Sequence, residues 1–140
     1  MIIRKVNKKD VKDLSEIIKT ARVLEDYYGE YDKRALAKMI TKKGFVFLVA
    51  EEDGKVVGFI NFEVEKDIGR IFLDTIAVHK KFRGKGIASV LYAEMEKHIA
   101  RLKIKRLFMI VRDYNKEMNE MAKKRGCNLS CKLNYWAKNY

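Results

Sequence analysis

Apolar residues recur at helical spacing near the start of the chain, where Val11, Leu14, Ile17, Ile18 and Ala21 predict a helix from about Asp10 to Arg22. A short strand, Ile2 to Lys5, precedes it. A second helix, about Lys33 to Lys42, carries Leu36, Met39 and Ile40, and Gly44 ends it. The period then drops to two. Phe45 to Glu51 and Lys55 to Glu65 read as strands joined by Glu52-Asp53-Gly54, whose Asp-Gly pair predicts a tight antiparallel hairpin. Ile68-Gly69 marks a second reversal, and Arg70 to Val78 completes a three-stranded meander. Next come a long amphipathic helix, about Gly84 to Arg101, with Ile87, Val90, Leu91, Met95 and Ile99 on its apolar face, and a strand from Arg106 to Val111. Asn115 caps a further helix reaching Arg125, Gly126 stops it, and Cys127 to Tyr140 reads as one or two closing strands.

This order of elements predicts an α+β fold. A chain of 140 residues without repeats, proline or a Gly/Ser-rich linker reads as one domain, 1–140, able to bury roughly 68% of the surface of its unfolded form. The hydrophobic share is 48% and the charged share 36%, no apolar run is long enough to span a bilayer, and no signal-peptide pattern opens the sequence. A cytoplasmic protein that enters no membrane is expected. Cys127 and Cys131, if on one strand, lie roughly 13 Å apart, too far for a mutual disulfide. No metal is expected. Lys and Arg number 31 against 19 Asp and Glu, for a formal charge of +12 that points to polyanions: nucleic acid, membrane headgroups or phosphorylated cofactors. The basic residues are spread along the chain, so a solvated, heat-adapted surface explains them equally well.

One segment narrows the choice. Arg83 to Ser89 falls where a strand has ended and a long helix begins, so the first helical amides lack intrahelical partners and form an anion site. Gly84 and Gly86 allow the backbone to approach a ligand, and Lys80, Lys81, Arg83 and Lys85 add positive charge, an arrangement suited to a pyrophosphate. A glycine-bearing helix start with ordinary surface lysines looks the same. The dinucleotide pattern G-x-G-x-x-G is broken at Ser89 and follows a meander in place of opening a βαβ unit, and G-x-x-x-x-G-K-[ST] is absent. Nicotinamide or flavin binding and nucleotide hydrolysis are therefore disfavoured.

The stretch Val78-His79-Lys80-Lys81-Phe82-Arg83-Gly84-Lys85-Gly86-Ile87-Ala88 resembles the central signature of the GNAT superfamily of N-acetyltransferases, V-x-P-x-x-[RQ]-x-x-G-x-[GA], at Val78, Arg83, Gly86 and Ala88. The element order is that family's too, so the resemblance spans essentially the whole chain. It implies a GNAT fold, a central mixed but mostly antiparallel sheet flanked by about four helices, and acetyl-CoA as the cofactor. By the same resemblance, backbone groups of Ile76, Ala77 and Val78 pair with the pantetheine arm. Arg83, Gly84, Lys85, Gly86, Ile87, Ala88 and Ser89 hold the pyrophosphate, and Asn115 contacts the cofactor, although a plain N-cap explains Asn115 as well. Lys80 stands where the family has proline, which removes no phosphate-binding group.

The departures concern catalysis. Met121 to Cys127 aligns with the family's F-Y-x-x-x-G-F and puts Ala122 where a tyrosine usually protonates the leaving thiolate. A general acid contributes about 10²- to 10⁴-fold, and a thiol of pKa roughly 8.5 leaves tolerably without one. Tyr114, Tyr135, Cys127 or a water are substitutes that spacing does not separate, so the acid stays unassigned. Asp74, on the strand entering the motif, is the candidate general base, with Glu63 and Glu65 weaker, and a solvated or salt-bridged Asp74 is the plain alternative. Period-two alternation places Phe72, Asp74, Ile76 and Val78 on one face.

Between Arg22 and Lys33 no residue is basic, while Glu25, Asp26, Glu30 and Asp32 interleave with Tyr27, Tyr28 and Tyr31. In the family this connection lines the acceptor side, and Glu25, Asp26, Tyr27, Tyr28 and Tyr31 suit a cationic amine through charge and cation–π contacts. Helix-end electrostatics and packing explain the same residues. With no acid assigned, an α-amine, roughly a tenth neutral at pH 7 against less than about a thousandth for lysine, needs less help. The reading is therefore acetyl transfer from acetyl-CoA to a protein N-terminus or small-molecule amine ahead of an internal lysine. The alternatives are an acyl-CoA-binding module without turnover, on the ground of Ala122, and a basic nucleic-acid- or ribosome-associated protein. The sequence leaves a homodimer and a nucleic-acid partner open and favours neither.

Overall fold

A computed structural model of the chain describes residues 1–21 and 33–131. The chain divides into two compact units, Met1–Ile110 and Val111–Tyr140.

In the first unit the chain runs β1 (Ile2–Lys5), α1 (Val11–Thr20), α2 (Lys33–Ile40), β2 (Phe45–Glu52), β3 (Lys55–Glu65), β4 (Arg70–Val78), α3 (Ile87–Arg101) and β5 (Arg106–Met109). The strands form one sheet in chain order, antiparallel from β1 to β4, with β5 parallel to β4 after the α3 crossover. The β2–β3 hairpin turns on Asp53 and Gly54, both at positive φ (50° and 75°), as an Asp-Gly turn of this length requires. A capping box starts the 3₁₀ turn Lys8–Asp10 that leads into α1. The Asn7 side chain accepts from the Lys9 amide, and the Asp10 carboxylate accepts from the Asn7 amide and from both terminal nitrogens of Arg4.

Each face of the sheet buries a helix layer. Leu14, Ile17 and Ile18 of α1 and Leu36 of α2 pack with Phe47, Val49, Phe59 and Ala77 on one face. On the other, α3 buries Ile87, Leu91, Tyr92 and Met95, and its His98 meets Phe62 edge-on at 5.7 Å. Val90, placed on the apolar face by spacing, is 41% exposed, while Tyr92 is buried: the buried stripe is centred one residue further on.

Several boundaries differ from those that periodicity predicts. The first helix ends at Thr20 and the second at Ile40, β2 runs to Glu52, and β5 stops at Met109. The long helix begins at Ile87, because Gly84 and Gly86, both at φ 77°, hold the preceding residues out of the helical conformation.

In the second unit, α4 (Lys116–Lys124) is capped by Asn115, whose Oδ1 accepts from the Met118 amide at 3.2 Å. Gly126, at φ 78°, follows the helix, as the sequence predicts for its stop. Cys127 to Cys131 form no strand, and the rest of the predicted closing strands, 132–140, lies outside the described residues.

Candidate active site

The parallel pairing of β4 with β5 runs from Arg70–Arg106 to Leu73–Met109 and ends there. Beyond Leu73 the β5 side of β4 has no strand partner among the described residues; Ala77 and His79 turn their main-chain groups towards β3, so those of Ile76 and Val78 face this open edge, the Val78 carbonyl being taken by Arg83. Directly past that edge comes the glycine turn. Its position is set by Gly58 on β3, where a Cβ would come within 3.1 Å of the Ala77 carbonyl, 3.2 Å of Ile87 Cγ2 and 3.3 Å of Val78 Cγ2. Absence of a side chain at Gly58 thus lets the first residue of α3 sit directly on the strand end. The sequence signal for this was a glycine inside an apolar strand run, which marks close backbone approach.

The turn itself offers an anion seat. Gly86 is the N-cap of α3 and supplies no side-chain cap, and the first turn of the helix contains no acidic residue. A Cβ built on Gly84 or Gly86 meets nothing within 4 Å, so space lies open in front of both. Lys80, Lys81, Lys85 and Ser89 are exposed around it, while Ile87 is buried and Ala88 half-buried. No acidic residue occurs between Asp74 and Glu94. The Arg83 side chain reaches back to two main-chain carbonyls. Its Nε donates to the Val78 carbonyl and an Nη to the Thr20 carbonyl, both at 3.1 Å, tying the turn to the end of β4 and to the C-terminus of α1. His79 braces the turn from behind: its Nδ1 accepts from the Lys81 amide and its ring meets Phe82 edge-on. Burial, reinforced by Lys55, holds the His79 imidazole below its ordinary pKa, consistent with a neutral ring accepting at Nδ1.

Asp74 sits where β4 parts from β5, and a β-bulge puts it there. Asn61 pairs with Thr75 and Phe62 with Leu73, so Asp74 is the extra residue on β4. The bulge reverses the alternation of the strand. Ile71 and Leu73 share the α3 face with Phe62, whereas Thr75 and Ala77 share the α1–α2 face with Asn61 and Phe59. Phe72, Asp74, Ile76 and Val78 therefore do not share one face, because strict period two cannot survive an inserted residue. The Asp74 Oδ2 accepts from Asn61 Nδ2 at 3.0 Å and from the Thr75 hydroxyl at 3.2 Å. Asn61, fully buried, and Thr75 line a small recess under α1 and α2 whose other described lining residues, Ile18, Leu36, Met39, Phe47 and Phe59, are apolar. The weaker base candidates go elsewhere: Glu65 is paired with Arg70, and Glu63 lies opposite Phe72, nearer the far end of the hairpin.

In the second unit Asn115 makes its helix cap, and Ala122 lies on α4, where its carbonyl accepts from the amides of Arg125 and Cys127. Tyr114 is 53% exposed with the Arg112 guanidinium over its ring at 5.7 Å, and Cys127 is half-buried. The proposed acceptor residues Glu25, Asp26, Tyr27, Tyr28 and Tyr31, with Glu30 and Asp32, lie outside the described residues, as does Tyr135. Among the described residues no cluster of His, Cys, Asp or Glu has the form of a metal site, and no helix is long and apolar enough to cross a membrane.

The acetyltransferase (GNAT) family model matches residues 11–127. An acetyltransferase of Photorhabdus laumondii is 33% identical over 89 residues, 64% of this chain and 61% of that one. The chain spans little more than half the length of the curated relatives it matches. Among solved structures, PaiA N-acetyltransferase of Thermoplasma acidophilum in complex with coenzyme A superposes with a TM-score of 0.77 at 21% identity, covering 89% of this chain and 87% of that one. Ribosomal-protein-alanine N-acetyltransferase of Brucella melitensis superposes with a TM-score of 0.76 at 19% identity over 99% of this chain and 100% of that one. With the open β4 edge, the glycine turn and the order of strands and helices, these matches place the chain in the GNAT family of acetyltransferases.

Proposed function

We propose that the chain transfers an acetyl group from acetyl-CoA to a primary amine, with the α-amine of a protein N-terminus or a small-molecule amine favoured over a lysine side chain. The observation that carries this reading is the open β4 edge running from Asp74 into an uncapped, glycine-built helix start. The residues fit the cofactor. The outward-facing main-chain groups of Ile76 and the Val78 amide suit the amide-bearing pantetheine arm, and the open space before Gly84 and Gly86, ringed by Lys80, Lys81 and Lys85, suits a pyrophosphate. Arg83 acts through the main chain, holding the turn against Val78 and Thr20. Acetyl-CoA supplies the acyl group already activated as a thioester.

The chain's own task is then the acceptor. An attacking amine must lose a proton, and the Asp74 carboxylate, held through its Oδ2, takes it. Ala122 has no proton to give, so the departing sulfur leaves as thiolate or takes its proton from solvent, which a thiol of pKa roughly 8.5 tolerates. This chemistry favours the amine that is easiest to deprotonate, an α-amine over lysine. The Brucella protein that shares the fold bears the name of a ribosomal-protein-alanine N-acetyltransferase, in keeping with an α-amine acceptor. Thiol release from acetyl-CoA over a panel of small amines and of peptides with free or blocked N-termini tests the reading. Release with free α-amines and little with N-blocked lysine peptides is expected, and the reverse pattern contradicts it.

Ala122 supports a second reading, an acyl-CoA-binding module without turnover. It predicts a cofactor-dependent rise in Tm with no thiol released by any amine in the panel.

A further inference from the structure

Between the end of β4 and the turn glycines, Lys80 to Phe82 form a single 3₁₀ turn whose shape rests on His79. The His79 main chain is fixed at both ends: its amide donates to the Val57 carbonyl of β3 at 2.9 Å, and its carbonyl accepts from the Phe82 amide at 2.8 Å. Its side chain is the cap of the turn. Nδ1 accepts from the Lys81 amide at 3.3 Å, and the ring meets Phe82 edge-on with centroids 5.8 Å apart. Phe82 in turn has the Lys85 ammonium 5.1 Å from its ring centre. One imidazole therefore holds the main chain of Lys81 directly and reaches Lys85 through Phe82, and both lysines border the open space before Gly84 and Gly86.

Histidine caps a turn only while neutral. An asparagine oxygen accepts at every pH in the physiological range, whereas imidazole accepts at Nδ1 only when its proton sits on Nε2. Once protonated, both ring nitrogens donate, and an N–H is set against the Lys81 amide. The charged groups acting on the ring among the described residues are Lys55 at the start of β3, Glu16 on α1, and Lys80 and Lys81 on the turn itself. Glu16 is shared with Lys55, 3.3 Å away. Burial first and Lys55 second outweigh the pull of Glu16 and keep the ring neutral at pH 7.

We propose that neutral His79 is a positioning residue for the acetyl-CoA turn, holding Lys80 to Phe82 in the shape that presents the glycines and lysines to the pyrophosphate, so that protonating the ring weakens cofactor binding. The inference rests on the reading of this turn as the cofactor seat and adds the group that keeps it in form. The sign of the effect is diagnostic. An imidazolium acting only as one more positive charge beside the lysines would tighten the hold on an anion as pH falls. Loss of the cap acts in the opposite direction.

The test compares the full-length wild type with His79→Asn, which keeps a cap acceptor that does not titrate, and His79→Ala, which removes it. Both variants retain His98, the chain's other histidine. Acetyl-CoA is titrated calorimetrically into each at about pH 7.5 and about pH 5, on either side of the imidazole range. At the higher pH the wild type and His79→Asn bind alike, and His79→Ala binds roughly fivefold more weakly. On acidification the wild type loses roughly fivefold more affinity than His79→Asn, whose own change carries the protonation of the cofactor's phosphates. A wild type that follows His79→Asn at both pH values, or tightens relative to it, overturns the proposal. The backbone amide resonance of Lys81 reports the contact without cofactor. It shifts in the wild type with a midpoint below about pH 6.5 and stays still in His79→Asn, and a Lys81 resonance indifferent to pH in the wild type overturns the proposal as well. Failure of the cofactor reading looks different: Lys81 then follows His79 as described, yet no variant binds acetyl-CoA at either pH.

Discussion

Gly86 combines a backbone requirement with open space in front of it. At φ 77° an L side chain is strained by roughly 1–2 kcal/mol, yet a Cβ there would touch no protein atom. Gly86→Ala is therefore expected to lower stability by about that amount in urea denaturation and to weaken acetyl-CoA binding as well, the added methyl projecting into the space in front of the turn. A stability loss with unchanged affinity would show that the glycine serves the turn alone. Arg83 makes the converse case. Its guanidinium is engaged by the Val78 and Thr20 carbonyls, so Arg83→Lys, which keeps the charge but not the fork, should weaken cofactor binding nearly as much as Arg83→Gln in a calorimetric titration. At this scale the turn glycines Gly84, Gly86 and Gly126 were legible, because the residue type carries the backbone requirement. The hydrogen bonds from Asn61 and Thr75 to Asp74 were not: they depend on a β3–β4 register set by pairing between strands, and a bulge leaves no mark in the sequence of either strand.

Two contacts fix how the elements sit. Gly58 lets α3 start against the end of β4, so Gly58→Ala must push Ile87 or the Ala77 carbonyl outward by a few tenths of an ångström. A lower Tm together with weaker acetyl-CoA affinity is expected, whereas a substitution far from the turn lowers Tm alone. At the other edge Asp10 joins β1 to the start of α1. Burial alone would raise its pKa, but the Arg4 guanidinium and the Asn7 amide more than reverse this and hold it below the ordinary aspartate value. Because the folded pKa is depressed, the stability it confers is present above the unfolded pKa of about 3.9 and lost as pH falls through the folded value. Asp10→Asn should consequently lower stability near neutrality and flatten the acid limb of a stability–pH curve; a limb as steep as in the wild type would contradict this. Element types and order were readable from hydrophobic period. Helix ends were less so: the long helix opens at Ile87, three residues after Gly84, because two left-handed glycines delay it, which composition at a helix start does not reveal.

For the whole chain, the charge of +12 has one conspicuous local concentration, the turn bearing Lys80, Lys81, Arg83 and Lys85 with no acid from Thr75 to Ala93. If that turn is the principal anion site, acetyl-CoA affinity should fall as salt rises while an arbitrary duplex DNA competes weakly at physiological ionic strength. Tight duplex binding that displaces acetyl-CoA would instead support the nucleic-acid reading. The family was legible because the motif between Val78 and Ala88 has a backbone cause, a strand end followed by an uncapped helix. The acceptor was not: the residues suggested for it, Glu25, Asp26, Tyr27, Tyr28 and Tyr31, lie outside the described residues.

The claim that the turn from Arg83 to Ser89 seats the cofactor is tested most directly by calorimetric titration of acetyl-CoA into the wild type and into Lys80→Glu/Lys81→Glu/Lys85→Glu. These three side chains are exposed, so the fold should survive their reversal. One acetyl-CoA per chain is predicted for the wild type, with affinity at least a hundredfold lower in the triple variant, on the order of 3 kcal/mol. No binding to the wild type, or equal binding to both, would contradict the account.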